Sequence, residues 1–167
     1  MDTRTHRRVV GNRKKSAIPL STLRTSDAVK TVVAHPRRLE ELLNMLEDKD
    51  RGVRGRAAAA LAKLSESHPD RLLRVIARLK GSLEEESAYV RWHLVYTLGR
   101  LGERFPAQSR EFLQELIVLL DDGNRIVRIM VCKALGQIAA KKPQLIEDSF
   151  RNLKMEVPPA IVRLLQS

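Results

Sequence analysis

The feature that most constrains this 167-residue chain is an internal period of 37 residues. Val53-Arg54, Val90-Arg91 and Val127-Arg128 recur at that spacing, as do Pro69, Pro106 and Pro143, and Leu61, Leu98 and Leu135. The same offset links Leu39, Ile76, Leu113 and Phe150, and again Leu42, Leu79, Leu116 and Leu153. A fixed period of this length is the signature of stacked supersecondary units, none of which can close a core alone.

Each unit reads as two helices. The proline opens the first, where its missing N–H has no intrahelical partner to lose. Leu72, Ile76, Leu79 and Leu83 follow at helical spacing and make one apolar stripe. A polar turn with acidic residues comes next: "EDKDRG", "EEESAY" or "DDGNRI". The second helix has its own stripe, Val53, Ala57, Ala60, Leu61 and Leu64 in the first full unit, and ends before the next proline. The fold class these patterns predict is all-α, an α-solenoid of stacked antiparallel helix pairs. The divisions are a basic N-terminal arm over 1–25 and a repeat domain over 26–167. That domain comprises a partial unit at 26–35, full units at 36–68, 69–105 and 106–142, and a partial terminal unit at 143–167. Ser26 is the candidate N-cap of the first helix. Pro36 to Val53 is 17 residues against 21 from Pro69 to Val90, so the first full hairpin should be about one helical turn shorter.

With leucines, an acidic turn residue, Val-Arg and then small residues with leucine, the segments "LLNMLEDKDRGVRGRAAAALAKL" and "LIVLLDDGNRIVRIMVCKALGQI" resemble HEAT repeats. The resemblance covers roughly 36–167. It implies hydrogen-bond ladders between neighbouring units, in which Asp48, Glu85 and Asp122 would be the acidic members and Arg54, Arg91 and Arg128 the basic ones. Glu85 departs from the usual aspartate. The resemblance further implies that the second helices line a concave surface.

Three of the six aromatic residues fall in one second helix, within "AYVRWHLVYTLGRLG". An α-helical step of 100° per residue places Val90, Leu94, Thr97, Leu98 and Leu101 inward, and Trp92, Tyr96, Gly99 and Arg100 opposite. The matching outward positions are Gly55, Ala59 and Lys63 in the preceding unit and Ile129, Lys133 and Gln137 in the following one. The candidate groove residues are therefore Trp92, Tyr96, Lys63, Arg100 and Lys133, with His93 as a further contact beside Trp92. Two readings stay open at this stage: the rings complete the packing between units, or they form an exposed anchor of the kind that dominates interfaces.

Charge is concentrated at the start of the chain. Residues 1–38 hold ten Lys/Arg against Asp2 and Asp27, most of the net +11. Such an arm either stays solvated or clamps an acidic partner, a nucleic acid or an anionic surface. Apolar runs such as Leu116 to Leu120 fall far short of the roughly 20 residues that span a bilayer. The start MDTRTHRR lacks the apolar stretch of a secretory signal, so a cytoplasmic location is expected. Cys132 is the only cysteine, which excludes an intrachain disulfide and a cysteine-cluster metal site.

No pattern calls for catalysis, a metal or a cofactor. His6, His35, His68 and His93 share no ligand spacing with one another or with Cys132. No phosphate-binding glycine loop or nucleophile elbow is present. The expected function is a non-catalytic binding module or scaffold that recognises a protein or peptide on the concave face. Oligomeric state is open. One alternative is a nucleic-acid-binding protein using the basic arm and the concave rings, similar to HEAT-like DNA glycosylases; the chain is short for that group and no catalytic acid can be matched. A second is a HEAT-like phycobilin lyase, for which no residue marks a chromophore site.

Overall fold

A computed structural model describes residues 18–165. Among them there are helices and 3-10 turns but no β-strand. The first helix, α1 (Thr25–Ala34), is followed by three full hairpins. In the first, α2 (Leu39–Asn44) lies between the 3-10 turns Pro36–Arg38 and Met45–Glu47 and leads to α3 (Arg51–Ser67). In the second, turn Pro69–Val75, α4 (Ile76–Gly81) and turn Ser82–Glu84 lead to α5 (Ala88–Arg104). The third repeats this with turn Pro106–Glu111, α6 (Leu113–Val118), turn Leu119–Asp121 and α7 (Arg125–Ala139). Helices α8 (Pro143–Asn152) and α9 (Pro159–Leu165) complete the described chain.

The repeat prolines open 3-10 turns in the three full units, and an α-helix only at Pro143. The single continuous first helix read from the apolar stripe is thus broken in two. At Val75 and Phe112 the backbone moves to φ −115° and −142° with ψ near zero, interrupting the helix before α4 and α6 begin. The stripe nevertheless survives, because Leu72, Ile76, Leu79 and Leu83 are all buried. The first hairpin reaches α3 from Pro36 through Glu47, whereas the second needs Pro69 through Glu84, which is the missing turn.

Three expectations are corrected. The N-terminal arm does not extend to residue 25: Leu20 is fully buried in the core, and its N–H donates to Glu41 Oε1 at 2.7 Å. The same segment is held by Arg38 on the Ile18 carbonyl and by Arg56 on the Ser21 carbonyl. Residues 1–17, which carry the rest of the arm, lie outside the described residues. Ser26 is not the N-cap of α1, which starts at Thr25 after Arg24 and has no side-chain cap. Gly99 does not face outward; it is buried, because α7 covers that side of α5.

The core is continuous from Leu20 to Ile161. Its densest part is the layer of second helices, where α5 packs on both α3 and α7. Close approach on the α7 side depends on missing side chains. A Cβ on Gly99 would lie 2.7 Å from the Ala134 Cβ, and one on Gly102 would lie 2.5 Å from Ile138. Leu98, at the centre of α5, is fully buried. Truncation of Leu98 to Ala should lower unfolding stability by about 2–5 kcal/mol, measured by chemical denaturation; an unchanged midpoint would contradict this packing.

Between units, the turns are joined by arginine forks. Arg54 Nε and Nη2 donate to Glu85 at 2.8 and 3.0 Å, and Arg91 Nε and Nη2 donate to Asp122 at 2.7 and 2.9 Å. The third nitrogen, Nη1, anchors each arginine to backbone carbonyls of its own turn, as it also does for Arg128 on Asp122. Asp48, Glu85 and Asp122 each accept the N–H two residues ahead. Asp48 is exposed, at the start of the series. The hydrogen bonds from Arg91 hold the Asp122 carboxyl below the usual carboxylate range against the opposing effect of burial. For Glu85 burial is the largest influence and acts upward, but the bonds from Arg54 and the Ser87 N–H and the neighbouring positive charge outweigh it.

Asp122 is only 5% exposed, so Arg91→Ala leaves a nearly buried carboxylate short of its main donor. The expected loss is about 1.5–3 kcal/mol. Arg78→Ala, which removes exposed pairs to Glu40 and Glu47, should cost at most about 1 kcal/mol. Because the folded Asp122 pKa is depressed, its contribution is present above about pH 4 and lost as pH falls through the folded value. The gap between wild type and Arg91→Ala should therefore close in acid, as followed by denaturation at a series of pH values.

Candidate binding groove

The boundary between α3 and α5 does not close as the next one does. On the α3 side it offers Gly55, Ala59 and Ala62; on the α5 side, Tyr89, Trp92 and Tyr96. Small residues opposite large ones leave room that neither helix fills. One cleft of about 370 Å³ is lined by Ala59, Ala62, Lys63, Tyr89, Trp92 and Tyr96, among others. A second, of about 510 Å³, is lined by Arg51, Gly52, Gly55, Arg56, Ser87 and Tyr89. Thr25 and Tyr89 border both, so the two form one groove along α3 and α5.

The rings are held in place by their own contacts. Tyr89 is 49% exposed and rests over Gly55, where an added Cβ would meet the ring at 3.3 Å. Tyr89 meets Trp92 edge to face, with centroids 5.8 Å apart, and Trp92 stacks on His93 at 3.5 Å. Trp92 is half-buried and packs against the core. Tyr96 donates its hydroxyl to Glu66 Oε1 across the groove at 2.7 Å. Burial first, and then this bond to a carboxylate, push the Tyr96 hydroxyl pKa up.

The candidate residues do not all converge. Lys63, Trp92, His93 and Tyr96 border one cleft. Arg100 lies beyond Glu66 in an adjoining cleft of about 720 Å³, where it pairs with Glu103. Lys133 is exposed on α7 and borders none of these clefts. His93 is no surface side chain: it is 7% exposed, and its Nδ1 lies 2.8 Å from the Tyr89 carbonyl. A carbonyl only accepts, so Nδ1 carries the proton and Nε2 is the acceptor. Tyr89 and Gly55 were missed as a pair because their contact crosses the unit boundary one turn out of register; the repeat column of Tyr89 is Gly52. That stagger has no signal in the columns themselves.

Among the described residues no group of three or more His, Cys, Asp or Glu side chains is arranged to hold a metal. No helix there is long and apolar enough to cross a membrane.

Residues 76–154 match the family model for HEAT repeats. The resemblance drawn from the leucine and Val-Arg columns therefore holds. The fold is similar to that of a designed armadillo repeat protein solved in complex with peptide (KR)4, at 16% identity and a TM-score of 0.62, over 87% of this chain and 68% of that one. A second designed armadillo repeat protein is similar at 20% identity and a TM-score of 0.59, over 84% of this chain and 66% of that one. Comparison with curated protein sequences finds no match. At these identities the likeness is one of fold, and the fold is a helical-repeat solenoid.

Burial is the main influence on His93 and lowers its pKa, outweighing the bond to the Tyr89 carbonyl. A His held neutral in the fold contributes stability that is complete above about pH 6.5 and declines as pH falls below it. Trp92, the only tryptophan, stacks on this ring and reports its charge. Trp92 emission should change with a midpoint below pH 6.5, and His93→Gln should remove that transition; a midpoint at or above 6.5 would contradict the burial.

Proposed function

On the premise of a solenoid of HEAT-type repeats, we propose that this protein is a non-catalytic scaffold that receives a segment of another protein in the groove between α3 and α5. The observation that carries this reading is the open boundary itself. Gly55, Ala59 and Ala62 face three large rings, and the rings have exposed edges and a hydroxyl beside them. Tyrosine and tryptophan supply large contact areas with little conformational entropy to lose, which is why they dominate interface energetics. Helices bearing the groove are fixed on their far side by the core and by the ladder, so the groove is preorganised. The designed armadillo protein in complex with peptide (KR)4 supports the reading, as a similar fold with a peptide bound.

The rings are poorly arranged for the nucleic-acid alternative. Successive bases stack on free aromatic faces, but Trp92 is stacked by His93 and Tyr89 rests over Gly55. Selection of a random peptide library on the full-length protein tests the proposal. Enriched peptides should lose at least about tenfold in affinity to the Tyr89→Ala and Tyr96→Ala variants, as truncated interface anchors do. Failure to enrich any peptide, or binders indifferent to both substitutions, would refute it.

A further inference from the structure

We infer that the segment received by this groove is acidic, with an apolar side chain flanked by aspartate or glutamate; this rests on the docking role proposed above. Several cations of the fold are already neutralised by carboxylates. Arg54 and Arg91 are neutralised by Glu85 and Asp122, and Arg78 by Glu40 and Glu47. Arg51, Arg56 and Lys63, which line the groove, form no ion pair among the described residues.

The neutral bonds of the two arginines leave most of each fork open. Arg51 Nε donates to the Ser87 hydroxyl at 3.2 Å, and Arg56 Nη2 donates to the Ser21 carbonyl at 3.0 Å. The cleft that holds them has no carboxylate in its lining. Asp50 caps the Val53 N–H and flanks Gly52 opposite Arg56, and Glu85, held by both arms of Arg54, lies near enough to Arg51 to feel its charge, but neither carboxylate is within ion-pair distance of Arg51 or Arg56. At the other end, Glu66 accepts the Tyr96 hydroxyl. The groove therefore presents donors at Arg51 and Arg56, an aromatic middle at Tyr89 and Trp92, and a further ammonium at Lys63. Guanidinium forks match carboxylates two bonds at a time, so glutamates on either side of one apolar anchor fit this order.

The wider field has the same sign. Residues 18–165 contain 25 Lys/Arg against 19 Asp/Glu, which steers acidic segments toward the surface and repels basic ones. Cations left unpaired beside one another are a cost to the free protein, and an acidic partner relieves it.

The test is fluorescence anisotropy on the full-length protein with a labelled peptide in which one leucine is flanked by three glutamates on each side. The lysine counterpart and a labelled DNA duplex serve as the other probes. The glutamate peptide should bind, weaken with added salt, and lose roughly tenfold or more in affinity to Arg51→Glu with Arg56→Glu. Because residues 1–17 are present in both proteins, that loss isolates the groove from the basic arm. Arg51→Glu alone, at an exposed side chain, guards against misfolding of the double variant and should give part of the loss.

Stronger binding of the lysine peptide, still lost in Tyr89→Ala, would overturn the acidic class while leaving the groove as a docking site. Binding of the glutamate peptide that is unchanged by the arginine reversals would overturn the inference and assign that binding to another surface. DNA binding that disappears with the same reversals, without peptide binding, would overturn both the inference and the protein-docking role.

Discussion

A helical hairpin of this length cannot bury both of its apolar stripes within itself, and everything else in the structure follows from that deficit. Leu61, Leu98 and Leu135 are each fully buried because the next unit closes over them. Stability is therefore shared between neighbours, and α5, enclosed by α3 and α7, has the most to lose from a change on either side. Apolar contact alone would tolerate sliding of one hairpin on the next. The arginine forks remove that freedom, since a bidentate guanidinium–carboxylate pair requires both groups in one plane at about 2.8 Å.

Glu85 shows how that restraint adapts. Its side chain is one methylene longer than Asp122, yet it accepts Arg54 through both oxygens and still accepts the Ser87 N–H. Ser87 in turn makes no cap bond to its helix, whereas Asp50 and Asn124 cap theirs. The middle turn thus trades the side-chain cap for a hydroxyl that meets Arg51 from the preceding unit. The turn joins α4 to α5 and also touches the groove.

What could be read in advance was whatever repeats. The columns of leucine, proline and Val-Arg dictated the hairpins, the short first unit and the buried faces, because burial on a helix follows a fixed angular step. What could not be read depends on contacts without a period. Leu20 lies in "SAIPLSTL", ahead of the first unit the columns mark, so nothing periodic announces its burial. His93 lies at the edge of the helical wheel, where a few degrees of tilt decide between solvent and a stacked indole. Gly99 looked outward on an isolated helix and is inward only because α7 arrives.

The groove is best understood as the place where the repeat departs from itself. Both boundaries of α5 pair small residues with larger ones, but the order differs. Toward α7 the small residues are on α5, Gly99 and Gly102, and Ala134 and Ile138 press directly into the gap they leave. Toward α3 the small residues are on α3; the Tyr89 ring covers Gly55, but the three rings leave clefts beside them unfilled. The rings brace one another and His93, and Tyr96 reaches across to Glu66. One architecture therefore yields a sealed seam and an open one, and the open seam is where Arg51 and Arg56 stand, without an ion pair among the described residues.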